Sequence, residues 1–142
     1  MLTLQSTPSQ AGLDFNYRAL LVAIALFGVE LCIATVLGHI AWLRGFVGDM
    51  LVVVLVYYGF KSFVRAPTLW LAFAALLVGY GVELSQYLSH LYGWKISQRL
   101  LRIVVGSTPD WWDLPAYTLG FGVVLIAERL LARRERVWSV AS

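Results

Sequence analysis

Four blocks of apolar residues run along the chain, separated by short polar breaks. A bilayer's hydrocarbon core is about 30 Å thick and takes roughly 20 helical residues to cross. On that measure the pattern predicts membrane spans over residues 17–38, 45–64, 67–88 and 113–131. Glu30 interrupts the first block, Asp49 lies one turn inside the second, and Glu83 and Gln86 lie in the third. Pro67 opens the third span and Pro115 falls in the first turn of the fourth. Proline is tolerated there because its missing N–H would have had no partner. Asp113 stands where a helix N-cap is expected.

The longest break, residues 89–112, has a pattern of its own. Lys95, Gln98, Arg99 and Arg102 fall at i, i+3, i+4 and i+7, while Ile96, Leu100, Ile103 and Val104 fill the opposite face. This predicts a short basic amphipathic helix lying in the headgroup plane. Trp94, Trp111 and Trp112 bracket it, as amphipathic rings do at an interface. Residues 1–16 read as a polar tail without the charge and cleavage pattern of a signal peptide. Residues 133–142 read as a basic tail. The expected architecture is an all-α four-helix transmembrane domain, residues 17–132, with one interfacial helix between its third and fourth spans.

Composition agrees: 60% of residues are hydrophobic, 13% are charged, and the mean hydropathy is +0.75. Soluble domains carry about twice that charged fraction. The net charge is +3, but the basic residues flank the apolar blocks. They read as topology signals and lipid-headgroup contacts, so membrane lipids are the expected partners and nucleic acid is not. The single cysteine, Cys32, lies within the first block, and neither a metal-ligand cluster nor a cofactor motif accompanies it. Nothing in the pattern excludes a homo-oligomer.

Arg18, Lys61, Arg65, Arg129, Arg133, Arg134 and Arg136 lie on one side of the expected bundle. Arg44, Lys95, Arg99 and Arg102 lie on the other. The positive-inside rule then places both termini in the cytoplasm, as expected of an inner-membrane protein.

An ionisable side chain at mid-bilayer costs about 2.5–3.5 kcal/mol on insertion scales, so each one needs a reason. Successive spans run in opposite directions, which puts Asp49, Glu83 and Asp113 in the same leaflet, with Arg44, Gln86, Arg99 and Tyr117 beside them. Glu30 reads as nearer the middle. Gly79, Glu83, Gln86 and His90 form one stripe of the third helix, and Asp113, Tyr117 and Gly120 form one of the fourth. Small residues on such stripes let helices approach, and polar ones can pair across the interface. Structural readings compete at each position. Asp113 can be a cap alone, Asp49 can pair with Arg44, and Glu83 and Gln86 can hold helices together. His90 reads as interfacial.

Three stretches, Arg44-Gly45-Phe46-Val47-Gly48-Asp49, Gly81-Val82-Glu83-Leu84-Ser85-Gln86 and Trp112-Asp113-Leu114-Pro115-Ala116-Tyr117-Thr118-Leu119-Gly120, follow in order. Together they resemble the uncharacterised bacterial membrane family of domain of unknown function 2809. That family has affinity to the VanZ-like proteins, with their Glu-x-x-Gln, arginine and Asp-x-x-x-Asn/Tyr-x-x-Gly pattern. The resemblance implies a polar site made of Arg44, Asp49, Glu83, Gln86, Arg99 or Arg102, Asp113 and Tyr117. Tyr117 stands where VanZ-like proteins usually have asparagine, so no VanZ activity is transferred.

Three functions fit these residues. One is binding of a polar, amphiphilic or lipid-linked envelope ligand through charge-assisted hydrogen bonds in an outer-leaflet pocket. Another is a membrane-embedded enzyme whose neighbouring carboxyls divide acid and base roles on a lipid-linked substrate. No nucleophile–His pair, zinc spacing or phosphate loop points to a reaction. The third is a small proton-coupled exporter built on Glu30, against which stand the polar residues of the later spans and the long third connection.

Overall fold

The computed structural model describes residues 12–93 and 110–141, with side chains described as far as residue 137. Its helices are α1 (Tyr17–Thr35), α2 (Gly48–Phe63), α3 (Thr68–Tyr92) and α4 (Asp113–Ala141). A π-helical turn, Leu43–Val47, runs directly into α2, and the two make one span, Leu43–Phe63. All four spans are long and apolar enough to cross a membrane. The expected all-helical, four-span fold is therefore what the chain forms. The amphipathic helix expected near residues 95–105, with Arg99 and Arg102, lies outside the described residues.

The helix ends follow local chemistry. Asn16 caps α1, its side-chain oxygen accepting a hydrogen bond from the Ala19 N–H at 3.2 Å. The α1 helix stops at Thr35 rather than running to residue 38, because the N–H groups of Val36 and Leu37 both turn back to the Cys32 carbonyl. The α3 helix runs on to Tyr92 and ends on Gly93, whose φ of 66° is the left-handed conformation that closes a helix.

The α4 helix continues past residue 131 through the basic segment. No glycine or proline follows Gly122, and Leu, Ala, Arg and Glu there are good helix formers. Its 29 residues make a rod of about 44 Å at roughly 1.5 Å per residue, longer than the hydrocarbon is thick.

The last residues of the polar leader are built into the fold. Gly12–Leu13 pairs antiparallel with Val64–Arg65 as strands β1 and β2. The N–H groups of Asp14 and Asn16 then donate to the carbonyls of Phe63 and Ser62, at 3.0 and 2.8 Å. These bonds satisfy carbonyls left open where α2 ends, and they tie the start of α1 to that end.

The α2 helix is the central element: α1, α3 and α4 all pack on it, and α3 also packs on α4. The core is Val53 and Tyr57 of α2, Ala72 and Ala75 of α3, and Ala116 and Val124 of α4, all nearly inaccessible. Small residues dominate because helices in lipid gain by close packing rather than by burying apolar surface. Gly120 marks the tightest approach, where a Cβ atom would fall 2.4 Å from the Met50 carbonyl oxygen. Large apolar side chains such as Leu21, Phe27, Trp70, Leu77 and Ile126 face outward. In a bilayer that is where lipid is the solvent.

Candidate functional site

Asp49, Glu83, Asp113 and Tyr117 come together where α2, α3 and α4 meet. The π turn sets up the first of them. It carries one more residue than an α turn and so rotates the helix that follows; single π turns of this kind occur often at functional sites. Asp49, the second residue of α2, then faces α4, and its Oδ1 accepts a long hydrogen bond of 3.5 Å from the Tyr117 hydroxyl. Asp113 stands close enough to Asp49 and to Glu83 for the three carboxyls to interact electrostatically.

The α3 stripe supplies the buried part. Gly79, Glu83 and Gln86 all face inward, and both polar side chains are only 7% exposed. A Cβ at Gly79 would press on the Tyr117 ring at 3.1 to 3.3 Å, so this glycine makes room for the phenol beside Asp49. The Tyr80 and Thr118 hydroxyls, 2.7 Å apart, and the tilted Tyr80–Tyr117 ring contact fix α3 against α4 at this level.

Asp110 closes the turn that leads into α4, and Asp113 is the first residue of that helix. The Asp110 carboxylate accepts from the Trp112 N–H at 3.0 Å, and its carbonyl accepts from the Asp113 N–H at 3.0 Å. The Asp110 N–H in turn donates to Glu83 Oε1 at 2.7 Å. The other Glu83 oxygen is buried without a hydrogen-bond partner among the described residues. Asp113 interacts electrostatically with both Asp49 and Glu83.

Arg44 does not join the described cluster. It sits exposed on the π turn and makes no ion pair among the described residues. Arg99 and Arg102 fall outside them. What is described is an acceptor-rich site: three carboxyls, one phenol and one backbone N–H, with Gln86 on the same face. No group of His, Cys, Asp and Glu among the described residues has the arrangement of a metal site.

Two features escaped sequence reasoning. Glu30 is not near the middle of its helix: it lies five residues from the end of α1, with its carboxylate against Gly48, next to Asp49. At the opposite end of the bundle, Lys61 Nζ bonds both Glu128 oxygens at 2.6 Å and stands 5.7 Å from the ring centres of both Tyr57 and Tyr58. The partners are 67 residues apart in sequence, and no pattern within either helix announces the pair.

A protein-family model described as a protein of unknown function (DUF2809) matches residues 38–121, from the turn before α2 into α4. No curated protein and no solved structure matches the chain. The matched stretch covers more than half of the chain and contains Asp49, Glu83, Asp113 and Tyr117, whereas Glu30 and Glu128 lie outside it. The chain belongs to the DUF2809 family of proteins of unknown function.

Proposed function

We propose that this multi-pass membrane protein binds a polar or amphiphilic envelope ligand at the carboxyl cluster, through an amine or another donor-rich group of that ligand. The observation that carries the reading is Glu83: its side chain is 7% exposed, and one of its oxygens has no partner among the described residues. An acceptor kept from water without a partner is costly, and the neighbouring Asp49 and Asp113 carboxyls compound that cost. A ligand that brings hydrogen-bond donors or a positive charge offsets both. The charge count supports an orientation with both termini inside, and the family resemblance supports a bacterial cytoplasmic membrane; in that placement the cluster faces the outer leaflet. Its VanZ-like kinship is part of this proposal and supplies no reaction.

The test is mass spectrometry of small molecules that co-purify with the full chain from native membranes. The wild-type protein should retain a donor-bearing compound that the Glu83→Gln protein loses at equal yield and thermal stability. Identical small-molecule profiles from the two proteins would refute ligand binding at this site. The enzyme reading rests on the electrostatic coupling of Asp49 and Asp113, since two neighbouring carboxyls can divide acid and base roles. Turnover of a lipid-linked substrate that requires both residues would favour it.

A further inference from the structure

At the end of the bundle opposite the carboxyl cluster, α1 and α4 both pack on α2, and they form the two walls of a cleft floored by α2. We propose that this cleft is a binding site for a zwitterionic glycerophospholipid, one whose headgroup carries a phosphate and a primary amine. The cavity measures about 460 Å³. Tyr58 and the Lys61–Glu128 pair form its floor, and because Lys61 already engages both Glu128 oxygens, neither charge is free for a ligand.

The charges that remain stand on the walls. Arg18 projects from the first turn of α1, its Nε donating to the Tyr17 hydroxyl at 3.3 Å, and Glu135 projects from the α4 extension; both line the opening, and they form no ion pair with each other among the described residues. Both are exposed. Arg18 suits a phosphate, and Glu135 suits an ammonium group. Away from this mouth the walls turn apolar, with Val22 on α1 and Leu131 on α4 both substantially exposed. They offer an acyl chain a path along the helices.

The arrangement discriminates by headgroup. A zwitterion satisfies both wall charges, whereas an anionic headgroup without an amine satisfies Arg18 and meets Glu135 with like charge. The length of α4 is what allows this: ended at residue 131, it would carry no Glu135 to face Arg18.

The experiment is native mass spectrometry of the full chain in detergent, titrated with phosphatidylethanolamine and phosphatidylglycerol of matched acyl chains. Phosphatidylethanolamine should bind about three- to fivefold more tightly. The Glu135→Gln protein should lose that preference, while Arg18→Gln should weaken both lipids by about the same factor. Equal retention of the two lipids by the wild-type protein overturns the proposal, and so does an unchanged preference in Glu135→Gln. Soluble phosphoethanolamine binding as tightly as the lipid overturns it too, and assigns the cleft to a free phosphate ligand. Because Arg18 and Glu135 are exposed, and Arg18 touches the equally exposed Tyr17 rather than the core, both variants should melt close to the wild type, and the wild-type lipid comparison stands without them.

Discussion

The two polar ends of the bundle handle charge in opposite ways. Asp49 and Lys61 are twelve residues apart on α2, about 18 Å along its axis. At the Lys61 end an ammonium and a carboxylate meet at 2.6 Å, with two tyrosine faces beside the cation. At the Asp49 end three carboxyls gather, their described neighbours being a phenol, a backbone N–H and one another. A charge near hydrocarbon is retained when it is paired or when it is used. The Lys61 end shows pairing that stabilises the fold within one chain. The Asp49 end lacks such a partner among the described residues, and the ligand proposed above is what would complete it.

Breaking the pair should give the largest effect. The side chains of Lys61 and Glu128 are only 28% and 14% exposed. Lys61→Met leaves the Glu128 carboxylate half-buried and alone, and should cost about 2–4 kcal/mol, below the full cost of opening a wholly buried pair. Thermal unfolding in detergent reads this directly. The double variant Lys61→Met/Glu128→Leu should recover most of the loss, since apolar replacement of both partners is often close to neutral. A double variant as unstable as Lys61→Met would mean that the two charges act separately.

Gly120→Ala tests the scaffold that both ends share. The new methyl group would fall 2.4 Å from the Met50 carbonyl oxygen and 3.0 Å from Val53 Cβ. Backbone has to move, so α2 and α4 should separate at a cost of about 1–3 kcal/mol. Because Met50 is next to Asp49, retention of any ligand at the carboxyl cluster should fall along with the melting temperature. Lost stability with full retention would place the binding site away from the α2–α4 contact.

How far these ends were legible depends on what a sequence pattern encodes. Spacing within one helix identifies a face: of the stripe Gly79, Glu83, Gln86 and His90, the first three are buried together, and His90, near the helix end, is exposed. On α4 the stripe Asp113, Tyr117 and Gly120 runs from a partly buried carboxyl to two buried residues. Spacing does not identify the facing partner. The Lys61–Glu128 pair was therefore hidden, each residue reading as an ordinary charge near a membrane surface. The π turn was hidden for a related reason: 3.6-residue periodicity assumes a uniform helix, so a turn with one extra residue breaks the count just before Asp49. Asp110 was missed because its part is played in the turn before α4, where its N–H reaches Glu83 on another helix.

Glu83→Gln should change function far more than stability. The glutamine keeps the volume and keeps an acceptor for the Asp110 N–H, so the melt should shift by less than about 1 kcal/mol. What it removes is a charge that nothing among the described residues pairs with. A large loss of stability would show that Glu83 acts as glue, like Glu128, and would erase the contrast between the two ends.

Arg44→Ala should have the smallest effect on stability. The motif resemblance put Arg44 with the carboxyls, and a simple pairing with Asp49 was the competing structural reading. In the structure Arg44 is exposed on the π turn and engages no carboxylate among the described residues. A surface charge without such a partner is worth less than about 0.5 kcal/mol, so the melting temperature should hardly move. Ligand retention should fall less than in Glu83→Gln, because Arg44 has the wrong sign for a donor-bearing group and stands at the rim. If Arg44→Ala instead removes the ligand as completely as Glu83→Gln does, the ligand carries an anionic group as well, and the site extends from the carboxyl cluster out to the membrane surface.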